Sequence, residues 1–162
     1  RLRAAGVAVT CRLLGFLDVK NRAAIPRETV DQWVREGVVD YLGEAEDVRP
    51  VIEEADCVVL PSFYREGTPR SLLEAASMGR PVITTDAPGC RNVVDDGVSG
   101  FLCRVRDAAD LAEKMRRMAE MTPEARAAMG RAGRAKMERE YDERIVLDRY
   151  LREVESLEAP EA

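Results

Sequence analysis

Short apolar runs alternate with amphipathic stretches through the first two thirds of the chain. Runs rich in β-branched and apolar residues predict strands at 7–16, 38–42, 57–60, 81–85 and 101–103. Apolar residues at helical spacing predict helices at 26–35, 47–55 and 68–78, with a single turn at 91–95. Parallel strands joined by helices follow this rhythm, so we expect an α/β fold: a Rossmann-like parallel sheet flanked by helices.

The pattern changes after residue 106. Segments 107–121, 122–140 and 142–157 are rich in Ala, Arg and Glu and predict three helices with no strand between them. Thr122 and Pro123 form a typical helix start, with Thr at the N-cap and Pro at the first helical position. We therefore expect a sheet-forming portion over residues 1–106 and C-terminal helices of the same domain over 107–157.

The composition narrows the possible functions. The chain has 162 residues, of which 46% are apolar and 34% charged, which indicates a folded domain with its own core. The net charge of −5 argues against a nucleic-acid partner, because such partners are held by phosphate neutralisation. There is no histidine, which excludes His-based acid–base chemistry and ordinary zinc sites.

Four cysteines stand far apart, at positions 11, 57, 90 and 103. This spacing offers neither a CxxC redox pair nor a zinc knuckle. We expect reduced, buried, structural cysteines, as in a cytoplasmic protein.

The segment from Leu60 to Thr85 carries the chemistry. A buried strand is predicted to end at Leu60, and after a polar loop a helix is predicted to begin with Thr68 as its N-cap. Ligands of open parallel sheets bind at the carboxyl ends of the strands, and a helix N-terminus there favours an anion. The first-turn amides around Arg70, Ser71 and Leu72 are therefore candidates to hold a phosphate.

Two carboxylates, Glu66 and Glu74, flank that position. From Thr68 to Glu74 the helix rises about 9 Å, which lets the two carboxylates bind opposite ends of an extended ligand. Ionised oxygens accept hydrogen bonds from sugar hydroxyls, so a sugar at one end and a ribose at the other would suit them. The residues alone leave a second interpretation open, in which Glu66 caps the loop and Glu74 is a solvated helix residue.

The longer sequence around these glutamates resembles a known family. Glu66 and Glu74 form an E-x7-E element within ADCVVLPSFYREGTPRSLLEAASMGRPVITTDAPGCRNVV, which is followed by DGVSGFLC. Together these segments resemble the C-terminal, donor-binding half of family 4 glycosyltransferases of the GT-B fold, in the branch that builds bacterial capsules and lipopolysaccharides. The resemblance covers about residues 6–120.

The resemblance implies a role for each matching residue. Glu66 would be the catalytic-site carboxylate beside the donor sugar, and Glu74 would bind the nucleotide ribose. The path of the donor sugar and diphosphate would be lined by Gly67, Thr68, Arg70, Ser71 and Leu72. The wall against which the base stacks would be formed by Gly43, Glu44, Ala45 and Val48.

The resemblance also implies a reaction. A hexosyl or N-acetylhexosaminyl group would pass from a nucleotide sugar, with a UDP-sugar expected, to a growing polysaccharide, lipopolysaccharide or glycolipid, with retention at the anomeric carbon. No cofactor and no metal are expected, because the helix dipole and basic side chains stabilise the leaving diphosphate.

The family pattern extends beyond this chain. Its donor domain begins with a glycine-rich loop whose Arg and Lys contact the diphosphate, and Lys20 and Arg22 do not match them. The family's N-terminal acceptor domain is also absent, and the last helix can cross to that domain. We expect the chain alone to bind nucleotide weakly and to transfer no sugar. Any peripheral contact with the inner face of the cytoplasmic membrane would come through the absent domain.

A second hypothesis is a non-catalytic nucleotide-binding module or a flavodoxin-like regulatory module. A response-regulator-like domain needs an acidic pocket with a phosphoacceptor Asp at the end of a strand. Leu60, Pro61 and Ser62 occupy that kind of position here, which favours the enzyme.

Overall fold

The computed structural model describes residues 1–18, 20, 24–64 and 67–158. The chain divides into two compact units, Arg1–Pro50 and Val51–Ala162. The organisation expected from the sequence, with a sheet portion over 1–106 and helices over 107–157, stays a prediction.

The described residues form five strands and six α-helices. The strands are β1 (Arg12–Leu13), β2 (Asp40–Tyr41), β3 (Val58–Leu60), β4 (Val82–Thr85) and β5 (Gly100–Cys103). The helices are α1 (Arg27–Arg35), α2 (Arg49–Glu53), α3 (Arg70–Ser77), α4 (Ala108–Glu120), α5 (Pro123–Glu140) and α6 (Glu143–Glu158). Within this part of the chain, no helix is long and apolar enough to cross a membrane.

In the first unit β1 and β2 form a two-stranded parallel sheet, and α1 contacts β2. The Tyr41 hydroxyl donates to the Gly15 carbonyl oxygen at 2.8 Å, which ties the residues after β1 to β2. The strand predicted over 7–16 is reduced to two residues. In the described part of the unit no strand pairs with residues 7–10, and a β-branched sequence without a partner strand forms no ladder.

The second unit is built on a three-stranded parallel sheet in the order β3-β4-β5. The central strand β4 is buried at all four positions and pairs with both neighbours. Gly100 lies opposite Val82 in the ladder, and a methyl group on Gly100 would overlap the Val82 carbonyl oxygen. The close pairing of β4 and β5 therefore requires glycine at this position.

Successive residues of β4 face opposite sides of the sheet, and each side carries its own core. Val82 belongs to a cluster with Leu72 of α3 and Met137 of α5, whereas Ile83 belongs to a cluster with Met118 of α4. The prediction of an α/β fold with parallel strands flanked by helices is confirmed. The strands form two sheets, one in each unit, where the sequence predicted one.

Several predicted helix ends are confirmed. The Thr122 hydroxyl accepts from the Ala125 amide at 3.2 Å and Pro123 follows it, as expected for the start of α5. The end of α3 has Gly79 in the left-handed region at φ 69°, where a side chain would be strained. The Gly79 and Arg80 amides donate to the carbonyls of Ala76 and Ala75, which closes the last turn.

Helix α5 lies against the C-terminal end of α3 at a contact between two glycines. A methyl group on Gly130 would overlap the Gly79 carbonyl oxygen, and both atoms belong to well-ordered backbone turns. Lower on α5, the buried Lys136 ammonium lies 2.5 Å from an Asp95 carboxylate oxygen, which ties the helix to the turn before β5. These contacts fix α3 relative to the sheet.

All four cysteines are free thiols, as predicted. Cys90 and Cys103 are buried, and Cys11 and Cys57 are half-buried. Burial raises the pKa of the Cys57 thiol to about 12, so it stays protonated at neutral pH.

We predict that Gly130→Ala destabilises the second unit. Overpacking against backbone costs about 1–3 kcal/mol, and a helical Gly→Ala change returns up to about 1 kcal/mol. Urea unfolding followed by circular dichroism should show a lower midpoint for the variant.

Gly133→Ala is the matched control for this measurement. Gly133 is buried in the same helix, but its added methyl group would find its nearest neighbour 3.7 Å away. The control should be as stable as the natural chain or more so. Equal stability of the Gly130 and Gly133 variants would contradict the proposed close contact.

Candidate functional site

The connection from β3 to α3 starts at the carboxyl edge of the sheet, and β4 holds it there. The Thr84 hydroxyl donates to the Leu60 carbonyl oxygen at 2.7 Å, and the Thr85 hydroxyl donates to the Ser62 carbonyl oxygen. Both threonine side chains are fully buried. A buried hydroxyl needs a hydrogen-bond partner, so these two residues fix the position of the loop that leaves β3.

Helix α3 begins one residue later than predicted. Pro69 is the N-cap, with φ −63° and ψ 126°, and there is no side-chain cap hydrogen bond. The prediction of Thr68 as N-cap and Pro69 as first helical residue is therefore wrong. The proline ring fixes φ but not ψ, and here the extended ψ places Pro69 just outside the helix.

The first-turn amides of α3 are not equivalent. The Leu72 amide donates to the Pro69 carbonyl oxygen at 3.1 Å, and its side chain is fully buried, so the expected free amide at Leu72 is absent. For the Ser71 amide, the described residues provide no acceptor. There is no acidic residue in the first turn, so nothing on the helix itself offsets the positive end of its dipole.

Glu74 lies one turn further along and forms an ion pair with Arg70. The Arg70 Nε atom is 2.8 Å from Glu74 Oε1, at an i,i+4 spacing. The Arg70 side chain is 90% exposed and the Glu74 side chain 33% exposed. Both charged groups are therefore within reach of a ligand that approaches the start of α3.

The other residues predicted for the site are distributed as follows. Gly67 and Ser71 are exposed, and Thr68 is half-buried. An added methyl group on Gly67 would meet only open space, so the backbone there is accessible. Glu66 lies outside the described residues. The assignments of all these residues to donor binding stay predictions.

The predicted base-binding residues lie in the first unit. Gly43 has φ 77° and accepts a hydrogen bond from the Gly15 amide at 2.9 Å. Glu44 and Ala45 are exposed, and Val48 is half-buried. Their predicted contact with a base is likewise untested.

Sequence reasoning missed an aromatic and cationic cluster at the edge of the sheet. The rings of Phe63 and Tyr64 stack with centroids 4.3 Å apart, and the Arg106 guanidinium carbon lies 4.4 Å from the Phe63 centroid. The adjacent aromatic residues after a buried strand were a weak signal. Nothing in the sequence joins them to Arg106, because the contact forms only when β5 takes its place in the sheet.

A cavity of about 220 Å³ lies at the other end of α3. Its lining consists of Ser77, Arg134, Met137, Glu138, Tyr141 and Asp142. Two carboxylates line this cavity and would repel a diphosphate, so we do not assign a nucleotide to it. Among the described residues, no group of three or more His, Cys, Asp or Glu side chains could hold a metal ion.

Comparison with known proteins identifies the class. A family model described as Glycosyl transferases group 1 matches residues 1–121, and the chain belongs to this family. The resemblance to GT-B glycosyltransferases that the E-x7-E segment predicted is thereby confirmed.

Individual relatives agree with this assignment. The chain is 32% identical to the N,N'-diacetylbacillosaminyl-diphospho-undecaprenol alpha-1,3-N-acetylgalactosaminyltransferase of Campylobacter jejuni, over 85% of this chain and 36% of that protein. It is 28% identical to the putative colanic acid biosynthesis glycosyltransferase WcaL of Escherichia coli, over 90% of this chain and 37% of that protein. The chain thus spans just over a third of the length of these curated relatives.

A solved structure shares the fold. Anabaena HepE, crystallised in complex with UDP, superposes with a TM-score of 0.79 over 91% of this chain and 41% of that chain, at 24% identity. At this level of identity the superposition establishes the fold of the chain.

We predict that Glu74→Gln changes the free energy of unfolding by less than about 0.5 kcal/mol, because exposed i,i+4 ion pairs contribute little. Asp95→Asn is the contrasting variant. It removes the nearest carboxylate from the buried Lys136 and should cost about 1–3 kcal/mol. Chemical denaturation of both variants checks this, and an equal loss in both would mean that Glu74 is needed for the fold.

Proposed function

We propose that this chain is the part of a glycosyltransferase that binds the nucleotide-sugar donor. The enzyme that contains it would transfer a hexosyl or N-acetylhexosaminyl group from a UDP-sugar to a growing polysaccharide, lipopolysaccharide or glycolipid. The family and fold support a transferase. UDP as the nucleotide is suggested by the HepE complex, and the class of acceptor by the relatives from Campylobacter jejuni and Escherichia coli.

The observation that carries the proposal is the start of α3. A helix N-terminus without an acidic first turn follows a strand at the carboxyl edge of a parallel sheet, with an exposed Arg70 beside it. The unpaired first-turn amide of Ser71 and the helix dipole both favour a negatively charged group there. We assign the diphosphate of the donor to this position.

Arg70 and Glu74 then have complementary roles. In the free protein they neutralise one another. When a donor binds, the exposed Arg70 side chain can turn to the diphosphate, which leaves the Glu74 carboxylate to accept hydrogen bonds from two ribose hydroxyls. An exchange of this kind costs little, because an exposed ion pair contributes little to stability.

The same groups would assist the reaction. As the glycosidic bond to the diphosphate breaks, negative charge develops on the leaving phosphate oxygens. The positive end of α3 and Arg70 lie where they would stabilise that charge without a metal ion. Retention at the anomeric carbon and a role for Glu66 beside the donor sugar complete the proposal.

Helix α6 supports the presence of a further domain in the intact enzyme. Residues 143–157 are all exposed, although many of them are apolar. The exposed apolar side chains are Ile145, Val146, Leu147, Tyr150, Leu151, Val154 and Leu157. Isolated exposed apolar residues are common, but a continuous stripe along a helix indicates a partner surface. We assign that surface to the acceptor-binding domain that the family pattern predicts.

The first test is calorimetry of the 162-residue chain with UDP. We expect binding to the natural chain and weaker binding to Glu74→Ala, because the ribose loses its charged acceptor. A lost charged hydrogen bond of about 1.5–3 kcal/mol raises Kd about 10- to 150-fold.

Glu138→Ala is the matched control for this titration. Arg134 and Glu138 form the same type of i,i+4 pair, with Nε 2.9 Å from Oε1, on a different helix. The control should bind UDP as the natural chain does. Equal loss of affinity in both variants, or none in Glu74→Ala with its fold intact, would overturn the role given to Glu74.

A second test distinguishes the two ends of the donor. In the enzyme that contains this chain, Glu66→Gln should lower turnover with the nucleotide sugar more than it lowers affinity for UDP, because its proposed partner is the sugar. Steady-state kinetics and UDP titration of the same variant measure the two effects. A loss of UDP affinity as large as that of Glu74→Ala would mean that the two ends are assigned wrongly.

A further inference from the structure

Arg106 reaches across the end of the central strand. It follows β5, whereas the ring it contacts, Phe63, follows β3, and β4 lies between these two strands. The guanidinium carbon is 4.4 Å from the ring centroid, which is within the range of a cation–π contact. The loop that leaves β3 is therefore held from both neighbouring strands: by the Thr85 hydroxyl at Ser62 and by Arg106 at Phe63.

The backbone of Arg106 is also unusual. Its φ of 58° lies in the left-handed region, which side-chain-bearing residues rarely adopt. Among the described residues, the other example without a glycine is Asp18. Residues held in such conformations cluster at functional sites, and glycine would adopt this one without strain. The presence of Arg at this position therefore calls for a role for its side chain.

We propose that Arg106 is a positioning residue for donor binding, acting through Phe63. By stacking on the ring it restrains the start of the β3–α3 connection, on which the predicted donor-binding residues follow. Restraint of this segment before the donor arrives lowers the entropy lost on binding. This proposal rests on the proposed function for its ligand, although the stacking itself does not.

Arg106→Gly is the decisive variant, because it removes the stack and relieves the backbone. Relief of strain offsets the added freedom of the unfolded chain, so the melting temperature should stay close to that of the natural chain. Loss of an exposed cation–π contact should raise the Kd for UDP about two- to fivefold. Arg106→Lys, which keeps a cation near the ring, should recover part of the affinity.

Two controls separate this effect from general changes in charge and backbone. Arg104→Ala removes a neighbouring arginine that pairs with Asp107 and Asp110 instead of with a ring. Asp18→Gly relieves the other left-handed residue, in the first unit. Both controls should leave the UDP affinity unchanged.

A double-mutant cycle tests whether Arg106 acts through Phe63. Phe63→Leu should weaken UDP binding about as much as Arg106→Gly, and the double variant should lose no more than either single variant. An additive loss in the double variant would overturn the proposal, because Arg106 would then contact the diphosphate directly. An unchanged Kd in Arg106→Gly, with UDP binding by the natural chain established, would also overturn it.

Hydrogen exchange of the free chain supplies a readout that needs no ligand. In Arg106→Gly, a peptide covering residues 58–73 should exchange faster than in the natural chain, while a peptide from α5 should not. Unchanged exchange in the 58–73 peptide would show that the stack does not restrain the loop. If the natural chain binds no UDP, the proposed function fails, and the exchange measurement still decides whether the stack restrains the loop.

Discussion

Strand β4 is buried on both faces and paired on both edges, and the second unit is organised around that burial. Val82 and Ile83 point to opposite sides, so each side of the sheet needs helices to cover it. Gly100 allows β5 to approach closely enough to pair. The buried hydroxyls of Thr84 and Thr85 cannot reach water, and they bond instead to carbonyls of the chain leaving β3, which connects the core directly to the candidate site.

Helix α3 connects the same core to the binding chemistry. Leu72 anchors it to the sheet, and Gly79 at its C-terminal end meets Gly130 of α5 without room for a side chain. A helix fixed at these points has a fixed N-terminus, so its first-turn amides keep their direction without help from a cap. The absence of a side-chain cap there is consistent with a binding role, since a capping oxygen would compete with a phosphate for the same amides.

Charges in the second unit differ in what they do for the fold. Lys136 is buried beside Asp95, where loss of its partner would leave a charge away from water. Arg70 and Glu74 are exposed to much greater degrees and can separate at low cost. This contrast makes the start of α3 suitable for a ligand that must compete with an existing ion pair. It also explains why a variant at Glu74 can report on binding without unfolding the protein.

The sequence by itself determined the family, the α/β class and most element positions, because the E-x7-E segment is distinctive and local patterns such as Thr122-Pro123 and Gly79 define helix ends. It also predicted the free thiols. The start of α3 was misplaced because proline fixes φ and leaves ψ to the surrounding structure. The strand at 7–16 was overestimated because a ladder needs a partner that local pattern does not supply. The contact of Arg106 with Phe63 and the hydroxyl bonds of Thr84 and Thr85 join residues distant in sequence, so only the order of strands in the sheet decided them.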